Sequence, residues 1–341
     1  MTISDLKGKL DQVPRLSLGH LPTPLEHCEK LSKELGVQLY IKRDDCTGLG
    51  FGGNKIRQLE FTLADAIEKD CDCVIQGAAS QSNHCRQAAA ACARVGLDCY
   101  LVLQKDEHSD EGQGNILLDH LFGAKVKFVD VPMGEAILEA KDELAEQLKA
   151  EGRRPYVLNP PHALALAAVA FVNAFIEFRE QTDELGLDVE RLFVCSCGGT
   201  GGGMLLGNKA LGGQIGITAV APILWDWPTA ERLAEAANLC AETLGIPTRI
   251  EPDEISYTDD FIGVGYGIPS EEGMEAMRLL AQTEGTPLDP VYTSKAFAAL
   301  LSAVRTGEIP QGSTIAFWHT GGTPALFAYS SDVTALGRSQ I

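Results

Sequence analysis

The architecture of this chain is indicated first by Gly48-Leu49-Gly50-Phe51-Gly52-Gly53-Asn54-Lys55, where four glycines precede one lysine. Residues 38–41 before this run are predicted to form a strand, and apolar side chains recur with helical spacing over residues 56–67. Lys55 is therefore predicted to begin a helix, where backbone amides and the helix dipole favour an anion over an ammonium group. We interpret Lys55 as a neutral or covalently engaged amine, which is a sign of reactivity.

The composition predicts a large folded protein without a nucleic-acid or membrane partner. The chain has 341 residues, of which 45% are hydrophobic, and its formal net charge is −19 with no basic cluster. Strong negative charge disfavours binding to nucleic acids and anionic membranes. No apolar run reaches membrane-spanning length, and residues 1–7 lack a signal-peptide core. We therefore expect a cytoplasmic protein.

The ten cysteines are predicted to be reduced, mostly buried thiols. Two pairs, Cys71-Asp72-Cys73 and Cys195-Ser196-Cys197, have C-x-C spacing instead of the C-x-x-C spacing of zinc and redox sites. No metal site is expected.

Strands and helices alternate along the chain, which is typical of parallel sheets covered by helices. In the first series the predicted strands are 73–76, 99–103, 125–129 and 156–158, and the predicted helices are 83–95, 113–122 and 134–150. The second series comprises helix 163–181, strand 192–195, helix 204–211, strand 215–220, helix 228–244 and strand 314–318. This pattern predicts an α/β protein with two open parallel-sheet, three-layer domains and a cleft between them. The segment Asn159-Pro160-Pro161-His162 is the expected crossing between the two domains.

Two glycine-rich segments suggest phosphate binding. The first, Gly48-x-Gly50-x-x-Gly53, matches the dinucleotide fingerprint, but no acidic residue ends a second strand about 20 residues later. A nicotinamide-dependent dehydrogenase therefore remains an alternative that rests on this match alone. The second, residues 198–203, follows a predicted strand and opens a helix, as a phosphate cradle does. A merely flexible helix entry is the alternative for this segment.

Polar residues also cluster where other strands are predicted to end. Residues 81–87 combine possible helix-capping groups with more polar side chains than a cap requires. The carboxyl end of a parallel strand is where open α/β sheets bind ligands. Further candidates are Tyr266, Tyr292 and the segment His319-Thr320-Gly321-Gly322.

The order and spacing of these motifs resemble the pyridoxal-phosphate enzymes of the 1-aminocyclopropane-1-carboxylate deaminase / D-cysteine desulfhydrase family. The motifs are Gly53-Asn54-Lys55, Ser82-Asn83-His84, the glycine run near residue 200, Asp289-Pro290-Val291-Tyr292 and His319-Thr320-Gly321-Gly322. The resemblance extends from residue 16 to about residue 325. It implies fold type II, a pyridoxal 5′-phosphate cofactor, a small amino-acid substrate and a homodimer. It also implies a large cofactor-binding domain of residues 1–54 and 160–341, and a small domain of residues 55–159.

The resemblance also implies roles for individual residues. Lys55 would bond covalently to the cofactor and later move the substrate proton, with Ser82, Tyr266 and Tyr292 as further catalytic residues. The substrate would be bound by Ser82, Asn83, His84, Tyr266 and Tyr292. The remaining cofactor-binding residues would be Asn54, Asn83, Gly198, Gly199, Thr200, Gly201, Gly202 and Thr320.

The residue after the second tyrosine separates two chemistries within this family. The deaminases place there a glutamate that meets the pyridine nitrogen, whereas this chain has Thr293 and, in the later motif, Thr320. A pyridine ring that faces a neutral hydroxyl withdraws electrons less strongly than a ring that a carboxylate keeps protonated. Elimination of a good leaving group is therefore favoured over cyclopropane ring opening. We therefore expect a carbon–sulfur lyase in amino-acid catabolism, which acts on D-cysteine or on L-cysteate. The deaminase, and a protein that binds the cofactor or an amino acid without turnover, are the alternatives.

Three departures from the family pattern leave the leaving group and the substrate enantiomer open. The usual lysine three residues after Lys55 is Gln58, the glycine- and serine-rich turn after strand 156–158 is Asn159-Pro160-Pro161-His162, and the phosphate loop is unusually rich in glycine.

Overall fold

The computed structural model describes residues 1–158 and 161–338. The strands in these ranges are β1 (Leu25–His27), β2 (Gln38–Arg43), β3 (Cys73–Ala79), β4 (Asp98–Gln104), β5 (Lys125–Val129), β6 (Pro155–Val157), β7 (Arg191–Cys195), β8 (Gly216–Val220), β9 (Ser256–Thr258) and β10 (Thr314–His319). The α-helices are α1 (Ile3–Leu10), α2 (Glu29–Leu35), α3 (Lys55–Glu68), α4 (Asn83–Val95), α5 (Gly114–Leu121), α6 (Glu135–Ala150), α7 (His162–Leu185), α8 (Gly199–Ala210), α9 (Thr229–Leu244), α10 (Glu271–Glu284), α11 (Thr293–Arg305) and α12 (Ser330–Arg338).

The strands form two sheets. The larger sheet has the order β1-β2-β10-β7-β8-β9, and the smaller has the order β5-β4-β3-β6. All neighbouring strands are parallel except β1, which pairs antiparallel with β2. The predicted α/β fold with two parallel sheets is confirmed. The exact domain boundaries stay a prediction, and Asn159 and Pro160 of the expected crossing lie outside the described residues.

Helices cover both faces of each sheet because the central strands bury side chains on both sides. Along β10, Ala316 and Trp318 pack into one core with α7, α8 and α9, whereas Ile315 and Phe317 pack into another with α10 and α11. The smaller sheet is enclosed in the same way, by α3 and α4 on one face and α6 on the other. Each sheet is therefore the middle of three layers, as predicted.

Helix α7 corrects one expectation from the sequence. By length and composition it is the one helix in residues 1–158 and 161–338 that is able to cross a membrane. However, 67% of its most apolar window is buried inside the protein. The apolar character of α7 follows from its central place in the core, where it packs against α3, α8 and α9.

Candidate active site

A cavity of about 380 Å³ opens at the carboxyl ends of both sheets. Residues after β3, β7 and β10 line it, as expected for open parallel sheets. The cavity brings together most of the residues singled out from the sequence: Asn54, Lys55, Ser82, Asn83, His84, Gly198, Gly199, Thr200, Tyr266, Tyr292 and Thr320. Gly201 and Gly202 do not line it.

Lys55 is the first residue of α3, as the glycine pattern predicts. Its side-chain nitrogen makes no hydrogen bond or ion pair with any residue that the structure describes. Burial lowers the pKa of Lys55, and the nearby thiols of Cys197 and Cys195 only partly oppose this effect. Lys55 therefore carries an amine that is easily deprotonated and free to react.

The glycine turn before Lys55 is shaped by backbone conformation and by Arg86. Gly52 and Gly53 have φ of 71° and 127°, and a Cβ on Gly52 would lie 2.0 Å from the carbonyl oxygen of Asp45. Arg86, which is fully buried, donates to the carbonyl oxygens of Gly50 and Gly52. The turn is thus held in one shape that delivers Lys55 to the cavity.

The glycine run near residue 200 is helical, which corrects the prediction of a loop before a helix at 204–211. Helix α8 begins at Gly199, and the glycines let it approach α7 and α9 closely. A Cβ on Gly203 would lie 2.1 Å from the carbonyl oxygen of Ala168, and one on Gly202 would lie 2.8 Å from the Cβ of Ala236. Packing against neighbouring helices therefore explains these glycines better than loop flexibility does.

The first turn of α8 still offers an anion site. The hydroxyl of Ser196 accepts hydrogen bonds from the amides of Gly201 (2.8 Å) and Gly198 (3.3 Å), and the amide of Gly202 donates to the carbonyl oxygen of Gly198. Within the described parts of the chain, the amides of Gly199 and Thr200 have no acceptor. Two free amides at a helix N-terminus form a site suited to phosphate.

The Thr200 side chain completes this site. Its hydroxyl oxygen accepts from Asn54 Nδ2 (3.1 Å) and Gln58 Nε2 (3.0 Å), which leaves its own proton to donate towards the cavity. Asn54 precedes α3 as its N-cap and Gln58 lies in its first turn, so the start of α3 positions both the reactive lysine and this anion site.

Helix α4 points a second N-terminus at the cavity. Ser82 caps it by accepting from the amide of Cys85 (3.2 Å), whereas the amides of Asn83 and His84 find no acceptor among the residues described. Asn83 Oδ1 accepts from Asn115 Nδ2 (3.0 Å), which fixes the orientation of the Asn83 side chain. This helix end can bind a second anion, such as the carboxylate of an amino acid.

Two tyrosines close one side of the cavity. The hydroxyls of Tyr266 and Tyr292 share a short hydrogen bond, and their rings meet edge to face with centroids 6.0 Å apart. Burial raises the pKa of both phenols above the usual value, so both are protonated at neutral pH. They line the same cavity as Lys55 and can donate a proton to a group bound there.

Thr293 and Thr320, the two threonines of the later motifs, differ in position. The Thr293 hydroxyl, at the sequence position of the deaminase glutamate, donates to Asp289 Oδ1 (2.6 Å) and does not line the cavity. The Asp289 carboxylate accepts hydrogen bonds from the backbone amides at the start of α11 and so lies where it binds the Thr293 hydroxyl. Thr320 does line the cavity, and its hydroxyl has no hydrogen bond partner in the described structure.

Sequence reasoning missed several lining residues. Trp225 and Trp227 stack with their ring centroids 4.7 Å apart, and the indole Nε1–H of Trp225 donates to Cys197 Sγ (3.2 Å). Lys141 and Gln76 reach the cavity from α6 and β3. The pair of tryptophans in Trp225-Asp226-Trp227 was a usable signal, since the whole chain has only three.

These features fit pyridoxal phosphate. The unpaired amine of Lys55 suits its aldehyde, the free amides at α8 suit its phosphate, and the Thr320 hydroxyl is available to the ring. The ten cysteines are all free thiols, and residues 1–158 and 161–338 contain no cluster of three or more histidine, cysteine or acidic side chains suited to a metal.

Comparisons with known proteins agree with this chemistry. The sequence model of the family described as "Pyridoxal-phosphate dependent enzyme" matches residues 16–321. A D-cysteine desulfhydrase of Klebsiella pneumoniae strain 342 is 40% identical over 328 residues, covering 94% of this chain and 97% of that protein. A putative 1-aminocyclopropane-1-carboxylate deaminase of Pyrococcus abyssi is 34% identical, covering 96% and 97%. The crystal structure of an ACC deaminase homologue superposes with a TM-score of 0.89 at 34% identity, covering 97% and 99%.

Proposed function

Since the chain belongs to the family of pyridoxal-phosphate dependent enzymes, we propose that it is a lyase that eliminates the 3-substituent of a small amino acid. The candidate substrates are D-cysteine, which would give pyruvate, ammonia and hydrogen sulfide, and L-cysteate, which would give sulfite in place of sulfide. The relatives named D-cysteine desulfhydrase support the first candidate.

The observation that carries the proposal is the amine of Lys55, which has no partner among the described residues, in a cavity that is also lined by two helix N-termini with free amides. The α8 end would hold the cofactor phosphate together with Thr200, and the α4 end would hold the substrate carboxylate. Bound pyridoxal phosphate supplies an electron-withdrawing ring that stabilises negative charge at the substrate Cα. The amine of Lys55, with its pKa lowered by burial, is suited to take the Cα proton.

The tyrosine pair is suited to assist the leaving group. Tyr266 and Tyr292 are protonated phenols that share one hydrogen bond, so either can donate a proton to a departing sulfur. The Cα–H and Cβ–S bonds break, and the electron pair of the Cβ–S bond leaves with sulfur. Water then hydrolyses the carbon–nitrogen bond of the remaining three-carbon product. Pyruvate and ammonia follow without any oxidant or reductant.

The second candidate function is the deaminase that opens 1-aminocyclopropane-1-carboxylate. The similarity to the Pyrococcus abyssi protein favours it. Thr293 argues against it, because this side chain is a hydroxyl bonded to Asp289 at the sequence position where the deaminases have a glutamate. Thr320, which lines the cavity, would then be the residue that meets the pyridine nitrogen, and a neutral hydroxyl there would suit elimination of a good leaving group better than ring opening.

A product screen tests the proposal. The protein loaded with pyridoxal phosphate would be incubated with both cysteine enantiomers, L-cysteate, both 3-chloroalanine enantiomers and the cyclopropane amino acid. Pyruvate from at least one 3-substituted amino acid, absent with Lys55→Ala, is the expected result. Release of 2-oxobutyrate alone would establish the deaminase, and spectral change without product would establish a binding protein.

We further propose a cytoplasmic homodimer. The negative charge of −19 supports a freely soluble chain, and the family resemblance supports the dimer. Light scattering coupled to size exclusion should give twice the mass of the 36.5 kDa chain, and a monomer mass would contradict this.

A further inference from the structure

Lys141 places a buried ammonium group at the cavity wall. It projects from α6, its exposed fraction is 2%, and it lines the cavity. Its Nζ donates to the carbonyl oxygen of Leu158 (3.0 Å) and to Gln76 Oε1 (3.3 Å). An ammonium has three N–H donors, so one has no acceptor among the residues that the structure describes. Lys141 forms no salt bridge with any side chain in residues 1–158 and 161–338.

The neighbours of Lys141 hold its position. The side chain passes over Gly77, where a Cβ would lie 2.8 Å from Lys141 Cδ. Gln76 Oε1 accepts from Lys141 and from the amide of Gly77 (3.0 Å), which fixes its amide so that Nε2 donates to His84 Nδ1 (2.8 Å). His84 then carries its proton on Nε2. Burial, with further contributions from Lys55 and Lys141, keeps the pKa of His84 well below its usual value, so this ring is a neutral donor.

The charge of the cavity is opposite to that of the chain. No aspartate or glutamate lines it, although the net charge of the protein is −19. The cations that line it are Lys55, Lys141 and Arg232. Arg232 already pairs with Glu235 (2.5 Å), and Lys55 would be engaged by the cofactor. Burial lowers the pKa of Lys141 to about 8, with Cys85 and Asp142 partly opposing it, so most of this amine is still protonated at neutral pH. Among the described residues, Lys141 is therefore the cavity cation that lacks a salt-bridge partner.

Two anions of the proposed complex, the cofactor phosphate and the substrate carboxylate, already have binding sites. The α8 end accounts for the cofactor phosphate and the α4 end for the substrate carboxylate, so neither needs Lys141. Through Gln76, Lys141 is joined to His84 in the first turn of α4, the helix end that would hold the substrate carboxylate. The remaining anion must therefore come from the substrate side chain.

We infer that Lys141 is a specificity-determining residue that binds a negatively charged 3-substituent of the amino-acid substrate, with the Nε2–H of His84 as a second donor. This inference rests on the proposed function and deepens it. Within that function it favours a sulfonate over a thiol as the leaving group. Elimination from L-cysteate then consumes one water and yields pyruvate, ammonium and hydrogensulfite.

Binding of unreactive amino acids tests the inference separately from turnover. Aspartate and asparagine have nearly the same shape, differ by one negative charge, and lack a good 3-leaving group. Each enantiomer would be titrated into the holoenzyme while the visible absorbance of the bound cofactor is followed. The dissociation constant for aspartate should be at least about tenfold lower than that for asparagine, the factor expected for a hydrogen bond to a charged group.

The variants Lys141→Met and Lys141→Gln should abolish that preference while retaining the cofactor absorbance. The matched control is Lys149→Met on the same helix, an exposed lysine paired with Glu146 (2.7 Å), and it should leave the preference intact. Equal binding of aspartate and asparagine to the wild type, or a preference that survives in both Lys141 variants, would overturn the inference.

The two proposals fail separately. Turnover of D-cysteine with equal binding of aspartate and asparagine removes the role of Lys141 and leaves the lyase. A preference for aspartate that depends on Lys141, without pyruvate from any substrate, removes the lyase and leaves the anion site.

Discussion

At the scale of single residues, neighbouring hydroxyls have different tasks. Thr320 presents a free hydroxyl to the cavity, whereas the Thr293 hydroxyl is bound to Asp289 and is fully buried. The sequence could predict that both lie near the site, because each follows a recognisable motif. The family resemblance selects Thr320 as the cofactor-binding residue, but the sequence could not predict the orientation of Thr293, because that depends on the capping contact with Asp289.

Valine substitutions should separate these two roles. Thr320→Val should weaken cofactor binding by about 0.5–1.5 kcal/mol, the usual value of one hydrogen bond, with little change in the melting temperature of the apoprotein. Thr293→Val should instead lower the melting temperature, because Asp289 loses a buried donor. Equilibrium dialysis of the cofactor and thermal denaturation provide the two readouts. The same effect of both substitutions on cofactor affinity would contradict the assignment.

Lys141 shows a signal that the sequence carries but that is easily missed. It lies between Ile137 and Leu144 on the buried face of α6, at a position where helical spacing calls for an apolar residue. Because α6 contains many other charged residues, Lys141 does not stand out in the sequence. A lysine within an apolar stripe therefore deserves inspection as a candidate ligand-binding group.

At the scale of elements, α8 shows how a glycine run can be misinterpreted. The sequence predicts an anion site after β7, since a strand followed by glycines and a helix is a local pattern. It does not reveal that the glycines belong to the helix, because the close approach of α7 and α9 is a tertiary feature. The short strands β1 and β9 and the helices α10 and α11 were not predicted, although α10 begins after the capping Ser270 and ends at Gly285.

An alanine in α8 tests the packing role of its glycines. Gly203→Ala would place a Cβ 2.1 Å from the carbonyl oxygen of Ala168, so α8 must shift away from α7. We expect a loss of about 2 kcal/mol in the free energy of unfolding. Gly8→Ala is the control, because this helical glycine has no atom within 4 Å of an added Cβ. If the two variants unfold at the same denaturant concentration, the packing explanation is wrong.

At the scale of the whole molecule, a buried ionic cluster joins the helix of the reactive lysine to the core. Arg57, two residues after Lys55, donates to Asp44 (2.8 Å) and to Glu177 on α7 (2.8 Å). Lys42 on β2 also donates to Glu177 (2.5 Å). Although burial alone would raise the pKa of Glu177, Arg57 and Lys42 hold it at about 2. The cluster fixes α3 relative to the larger sheet.

The cluster predicts acid sensitivity. A carboxylate with a lower pKa in the folded state stabilises the fold above its ordinary pKa of 4.5, and this contribution is lost as pH falls towards 2. Glu177→Gln should cost about 3 kcal/mol in the free energy of unfolding at pH 7, and this cost should shrink between pH 4.5 and 2. Urea denaturation across this range measures both effects. The control is Glu180→Gln, on the same helix as Glu177, which removes an exposed ion pair with Lys7 of α1. It should change the free energy of unfolding little.

The central claim is that Lys55 is the residue that holds the cofactor. Borohydride reduction of the holoenzyme followed by peptide mass spectrometry tests it directly, because reduction makes the link between cofactor and lysine permanent. The account predicts a phosphopyridoxyl group on Lys55 alone, and its absence from the Lys55→Ala variant. The same modification on Lys141 or Lys295, or on no lysine at all, would contradict it.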